Sequence, residues 1–228
     1  MAATARKVAV VVGYGPGIGH SVARKWAEQG FSVALVSRTA EKLEAATKTI
    51  PGSQAFPCDC RDAAAVVECM NSVEQALGGV DALIWNAGNG VWKKYDEITQ
   101  SDMESAMATN VYGLLAATQV VIPKMAARGG GFVCVTGATA SLRGMPFTSC
   151  FAAAKAAQLS LSQSIARQVW QDKVHVCYSV IDAAVGSGEG RMSPDSIANE
   201  YWHLATQTPD CWAFKHHIQR HGSDMGLL

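Results

Sequence analysis

With 228 residues, 49% of them hydrophobic and 17% charged, the chain can bury a large core and does not belong to the disordered class. Lysine plus arginine equals aspartate plus glutamate at 19 each, so no overall field draws it to nucleic acid or to an anionic membrane surface. Read for membrane spans, its longest candidate is Val8–Val12, far short of the roughly 20 apolar residues needed; with no apolar leader before it, a cytoplasmic protein is expected.

Short β-rich runs alternate with longer helical patterns. Val8–Val12 is a first strand and 17–29 the helix after it; a second strand at 32–36 precedes a helix at 40–49. A weak strand at 54–58 leads into a helix at 62–77, and a strand at 82–85 into a long helical stretch at 101–128. A strand at 132–136, a helix at 149–170, a strand at 174–181, a helix at 194–206 and a last strand at 211–216 follow. Strands that are continuous apolar runs, separated by helices, signal a parallel sheet covered on both faces. The expected architecture is α/β, a doubly wound parallel sheet of about seven strands in three layers, as one domain.

Between the first strand and the first helix lies Gly13-Tyr14-Gly15-Pro16-Gly17-Ile18-Gly19. Glycine alone lets the backbone approach a pyrophosphate closely and take positive φ, and the phosphates then sit at the positive end of the following helix. The spacing is G-x-x-x-G-x-G through Gly13, Gly17 and Gly19, not G-x-G-x-x-G. Such a turn after the first strand of a βαβ unit points to a Rossmann-like dinucleotide site. A site for NAD(H) carries a carboxylate at the end of the second strand, where it accepts from the ribose 2′-hydroxyl. None occurs between positions 29 and 40, and Arg38 stands there instead. A guanidinium suits a 2′-phosphate, so NADP(H) is favoured over NAD(H).

These residues, with Asp59 after the third strand, Asn86-Ala87-Gly88 after the fourth, Asn110 in the long helix and Lys155 after the fifth, resemble the short-chain dehydrogenase/reductase family over essentially the whole chain. The resemblance implies that Gly13, Tyr14, Gly17, Ile18 and Gly19 form the cofactor turn. It implies further that Asp59 and Cys60 flank the adenine and that Asn86, Ala87 and Gly88 line the adenosine ribose. Lys155 would grip the nicotinamide ribose, Val185 and Ser187 would touch the nicotinamide end, and Asn110 would distort the long helix and hold a water in a proton relay. The family's catalytic pair is Y-x-x-x-K, one helical turn apart. Here the stretch reads Phe151-Ala152-Ala153-Ala154-Lys155, and the family serine, 13 residues earlier, is Ala138. Lys155 and Asn110 therefore remain, while the phenol and the hydroxyl are gone. Val12 replaces the threonine ahead of the first glycine, and Asp182-Ala183 the Pro-Gly after the sixth strand.

Reduction of a ketone creates an alkoxide that needs a proton, and phenylalanine has none to give. General acid catalysis is worth about 10²–10⁴ in rate and an oxyanion donor roughly 3–4 kcal/mol, so ordinary carbonyl reduction by the family route is not expected. Thr139, Ser141, Ser149, Cys150, Tyr14 and Tyr112 are weighed as substitutes, and Asp182 as a carboxyl donor. Trp85, Trp92, Met145, Phe147 and Phe151 suggest an apolar pocket. Two readings stand: a divergent NADP(H)-dependent oxidoreductase for an activated alkene or an iminium, and a non-catalytic NADP(H)-binding sensor or partner subunit.

The resemblance also implies a homodimer or homotetramer through the long helices. A short loop at 186–192 and an early end suggest a small lid, with the site open or completed by another subunit. The seven cysteines, odd in number, read as free thiols of a reducing compartment. Neither Cys58-x-Cys60 nor His216, His217 and His221 reads as a metal site.

Overall fold

The computed structural model describes residues 6–222, so the leader reading of residues 1–5 lies outside the described residues. The elements run β1 (Val8–Val12), α1 (Ile18–Glu28), β2 (Ser32–Ser37), α2 (Ala40–Thr47), β3 (Ser53–Pro57), α3 (Ala63–Leu77) and β4 (Val80–Trp85). Then come α4 (Gln100–Met107), α5 (Gly113–Ala127), β5 (Gly131–Ala138), α6 (Ser149–Val169), β6 (Val174–Asp182), α7 (Pro194–Ala205) and β7 (Lys215–Gln219). The seven strands form one sheet in the order β3-β2-β1-β4-β5-β6-β7, with every neighbouring pair parallel. The chain winds outward from β1 to β3, then returns to start β4 on the other side of β1. This reversal opens a crevice beyond the carboxyl ends of β1 and β4.

Side chains alternate across each strand and feed two cores. Val8, Val10, Val12, Leu83, Trp85 and Val135 pack with α3, α5 and α6. Ala9, Val11, Leu35, Ile84, Cys134 and Ile181 pack with α1, α2 and α7. Burial on both faces is why β1 reads VAVVV without a polar break. Side chains fix the helix starts: Asp62 Oδ1 accepts from the N–H groups of Ala64 and Ala65 at 2.9 and 3.1 Å, and Thr99 forms a capping box with Asp102.

Three features bear on the expected elements. The last strand is not 211–216: Pro209–Cys211 is a 3-10 turn, and pairing with β6 begins only where Lys215 meets Tyr178. Helix 101–128 is interrupted by a π turn at Ala108–Tyr112, closed by the Gly113 N–H donating to Ala108 O. Asn110 Nδ2 donates to Ala106 O at 2.8 Å, occupying the carbonyl that its own backbone N–H would use in an α-helix. Finally, Gln100–Ala127, not Val8–Val12, is the stretch long and apolar enough to cross a membrane, with a mean hydropathy of 1.3. Its best window is 56% buried inside the protein, as in a core helix.

Candidate functional site

At the end of β1 the chain reverses, and the N–H groups of Gly13 and Tyr14 both donate to Val36 O at 2.9 Å. Gly13 has φ +84°, and a Cβ there would lie 2.4 Å from Ala87 N. The turn after β1 and the Asn86-Ala87-Gly88 turn after β4 are thus pressed together. Asn86 ties them, its Nδ2 donating to Gly13 O at 3.0 Å. Gly19 also serves packing, since its Cβ would come 2.9 Å from Gly13 O. Gly17 differs: no protein atom lies within 4 Å of its Cβ position, and its φ is −98°. Packing therefore does not exclude a side chain at this helix start, whereas close approach by a phosphate would. Ile18 opens α1 and packs against the second core, and the Tyr14 hydroxyl lies 2.9 Å from His20 Nδ1.

Beyond the ends of β1 to β4 lies a cavity of about 280 Å³ lined by Gly13, Tyr14, Arg38, Asp59, Cys60, Asn86, Ala87 and Gly88. Ser37, Cys58, Arg61, Asn89 and Thr109 complete the wall. Arg61 grips Asp59, with Nη2 2.6 Å from Oδ2 and Nε 3.0 Å from the same oxygen. Arg61 holds the Asp59 carboxyl below its usual range, and the charge of Arg38 adds to the effect. Two guanidiniums therefore face one carboxylate. Beside the wall, Cys60 and Cys69 lower the pKa of the Cys58 thiol, while their own rise against it and with burial.

Behind Gly88 runs a buried polar row. Lys155 Nζ donates to Thr136 O at 2.8 Å and to Gln158 Oε1 at 2.9 Å, and Gln158 Nε2 donates to Asn110 O at 2.8 Å. Burial pulls the Lys155 ammonium down to about 7. The Gln158 amide joins the Asn110 carbonyl to the ammonium. Asn110 Oδ1 is buried without a donor among the described residues, at about 1–3 kcal/mol for such a group. The Cβ position of Gly88 lies 3.5 Å from both Asn110 Oδ1 and Lys155 Nζ. Gly88 lines the cavity while Asn110 and Lys155 lie behind it, and without a Cβ it is the part of the wall through which a ribose hydroxyl would come nearest to this buried pair; on that count the residues present fit a dinucleotide ribose.

A second cavity, of about 320 Å³, opens beyond the ends of β5 and β6. Trp92, Ala138, Thr139, Arg143, Met145, Phe151 and Asp182 are among its lining residues. The Phe151 ring lies against Gly90, where a Cβ would come 2.6 Å from the ring, and the Trp92 ring centre is 5.4 Å away. Lys155 Nζ is 5.9 Å from the Phe151 ring centre.

The family profile for short chain dehydrogenase matches residues 7–185. The chain belongs to this family. Oxidoreductase asL5 of Sarocladium schorii is 30% identical over 85% of this chain and 73% of its own length. The short-chain type dehydrogenase/reductase y4mP of Sinorhizobium fredii is 32% identical over 75% of this chain and 71% of its own. A solved short-chain dehydrogenase from Rhodopseudomonas palustris superposes with a TM-score of 0.87 at 29% identity, covering 96% of this chain and 100% of that one. A metagenomic short-chain oxidoreductase in complex with NADP gives 0.85 at 26% identity, covering 93% and 96%.

Within this short-chain dehydrogenase, several expected residues stand elsewhere. Trp85 is fully buried core, because its ring packs under Gly113. Phe147 has φ +66° and is exposed, as is Tyr112. Tyr14 lines the first cavity rather than the second. Of the other proton-donor candidates, Ser141 Oγ donates to Ala138 O at 2.7 Å, the Cys150 thiol to Asp102 O at 3.3 Å, and Ser149 is exposed. Val185 is half-buried against the second core in a bridge to Met192, outside the lining of both cavities; Ser187 faces Gly17 across an open groove. Arg61, Gln158 and His217 were missed in the sequence. Only Arg61, two positions after Asp59, carried a local signal.

Proposed function

We propose that this short-chain dehydrogenase binds NADP(H) in preference to NAD(H) and reduces a small apolar compound whose double bond is already polarised, an activated alkene or an iminium. One observation carries the cofactor reading: Arg61 engages the Asp59 carboxylate, and Arg38 shares that wall. Arg38 follows β2 directly, where a carboxylate would accept from a ribose 2′-hydroxyl, and with Arg61 in the same wall the guanidiniums suit a 2′-phosphate instead. The metagenomic relative in complex with NADP supports the same choice.

When bound, the nicotinamide supplies hydride to an electron-poor carbon. The chain's part is to bind and orient: Gly13, Gly17 and Gly19 with Tyr14 and Ile18 at the pyrophosphate, Asp59 and Cys60 at the adenine, and Lys155 and Asn110 at the ribose behind Gly88. Trp92, Met145 and Phe151 give the second cavity its apolar wall. Assembly as a homodimer or homotetramer through α4, α5 and α6 and a cytoplasmic location complete the proposal; the free thiols favour a reducing compartment. The sensor reading has one observation in its favour, the Lys155 ammonium already engaged by Thr136 and Gln158. Loss of NADPH absorbance with cyclohex-2-enone, 1-pyrroline and simple ketones separates the two. Turnover of the enone or imine supports the reductase, and none with any compound supports the sensor. The Phe151→Tyr, Ala138→Ser double variant serves as the control for ketones.

A further inference from the structure

We infer that Asp182 and His217 form a proton relay from solvent into the second cavity, with Asp182 as the donor to the substrate; the inference rests on the reductase reading above. Asp182 closes β6, is 5% exposed and lines the cavity together with Ala138 and Phe151. Its Oδ2 lies 3.1 Å from His217 Nε2. An ionised carboxylate only accepts, so the ring must carry its proton on Nε2.

Strand register puts the pair together. His217 lies opposite Val180 in the β6–β7 ladder, and Val180 packs in the core beneath α6. His217 thus shares the sheet face of Asp182. His216 faces the other way, with its Nε2 3.2 Å from Glu200 Oε2 on α7. The His217 side chain is 25% exposed and that of Asp182 5%, so the outer member meets water and the inner one the cavity. Arg143 is the other charged side chain in the cavity wall.

For an enone, the hydrogen and electron pair from the dinucleotide go to the β-carbon and leave an enolate. His217 takes a proton from water at Nδ1 as it passes the one on Nε2 to the Asp182 carboxylate; the new Asp182 O–H bond then breaks, its proton forms the C–H bond at the α-carbon, and the O–H pair stays on the carboxylate. The ring, 25% exposed, then gives up its Nδ1 proton to water and regains the one on Nε2 by exchange. The net change is one hydrogen from the dinucleotide and one proton from water across the double bond.

The test has two arms. Long-range nitrogen–proton NMR of the cofactor-free protein, assigned with a His217→Ala variant, is expected to find His217 protonated at Nε2, and Asp182→Asn to remove that preference. With cyclohex-2-enone, Asp182→Asn is expected to lower kcat about 100-fold or more with NADPH affinity unchanged, and imidazole to restore turnover to His217→Ala. A ring protonated only at Nδ1 in the wild type, or full kcat in Asp182→Asn, overturns the relay and leaves the reductase reading intact. Failure of the wild type to reduce any panel compound overturns the reductase reading and the relay with it.

Discussion

Replacing Gly17 and Gly13 separately by alanine distinguishes a glycine kept for a ligand from one kept for the fold. At Gly13 a Cβ would lie 2.4 Å from the backbone nitrogen of Ala87, and φ is +84°. The left-handed backbone alone costs about 1–2 kcal/mol, and the overlap adds about 1–3 kcal/mol because the partner is backbone. A loss of roughly 3 kcal/mol lowers Tm by about 6–12 °C for a chain of this size. At Gly17 no protein atom lies within 4 Å of the Cβ. Alanine there gains up to about 1 kcal/mol through the unfolded chain and loses a comparable amount as a poorer helix cap, so the melt stays near wild type. The added methyl stands where the phosphate approaches. Losing one charge-assisted hydrogen bond, about 1.5–3 kcal/mol, weakens NADPH roughly 10- to 150-fold. Thermal melts and calorimetric titrations read both effects. Wild-type NADPH affinity in Gly17→Ala would refute the reasoning, because the open space at that position would then have no use.

Arg38→Ala is expected to weaken NADPH at least about tenfold and NADH little, and Arg61→Ala, which removes the second guanidinium of that wall, to weaken NADPH more than NADH; parallel titrations check both. Burial holds the Lys155 pKa near 7, against an ordinary value of about 10.4. Between these values the unfolded chain binds the extra proton, so stability rises with pH across the window, by roughly 5 kcal/mol at most. The penalty is fully present below pH 7 and gone above the ordinary value. Urea unfolding across this range is expected to lose much of its upward slope in Lys155→Met, and an equal slope contradicts the buried charge. Cys58, whose thiolate is favoured by Cys60 and Cys69, is expected to alkylate faster than either, and NADPH to slow it because the residue lines the cofactor cavity. Mass spectrometry of labelled peptides reads the rates.

The sheet was legible because its five inner strands, β2, β1, β4, β5 and β6, are buried on two faces and therefore largely apolar, and the helices between them signal parallel pairing. The glycine turn was legible because its requirement is local: backbone against backbone, or backbone against ligand. The last strand was misread because Cys211-Trp212-Ala213-Phe214 is apolar, yet it precedes the point where the ladder to β6 begins. Gln158 stayed hidden because a glutamine in a helix says nothing of its partners; its amide meets Asn110 across 48 positions and Lys155 across three. Asp182 was visible as a departure from the family, but His217 was not visible as its partner, since strand register alone brings them together. Trp85 was misassigned because aromatic content cannot tell the core side of a strand end from its pocket side.

The most direct test of the central claim is calorimetric titration of the purified protein with NADPH and, in parallel, NADH. Micromolar NADPH binding with NADH at least tenfold weaker is the predicted result. Equal affinity for the two would contradict the roles given to Arg38 and Arg61, and binding of neither would mean that the glycine turn survives only as architecture.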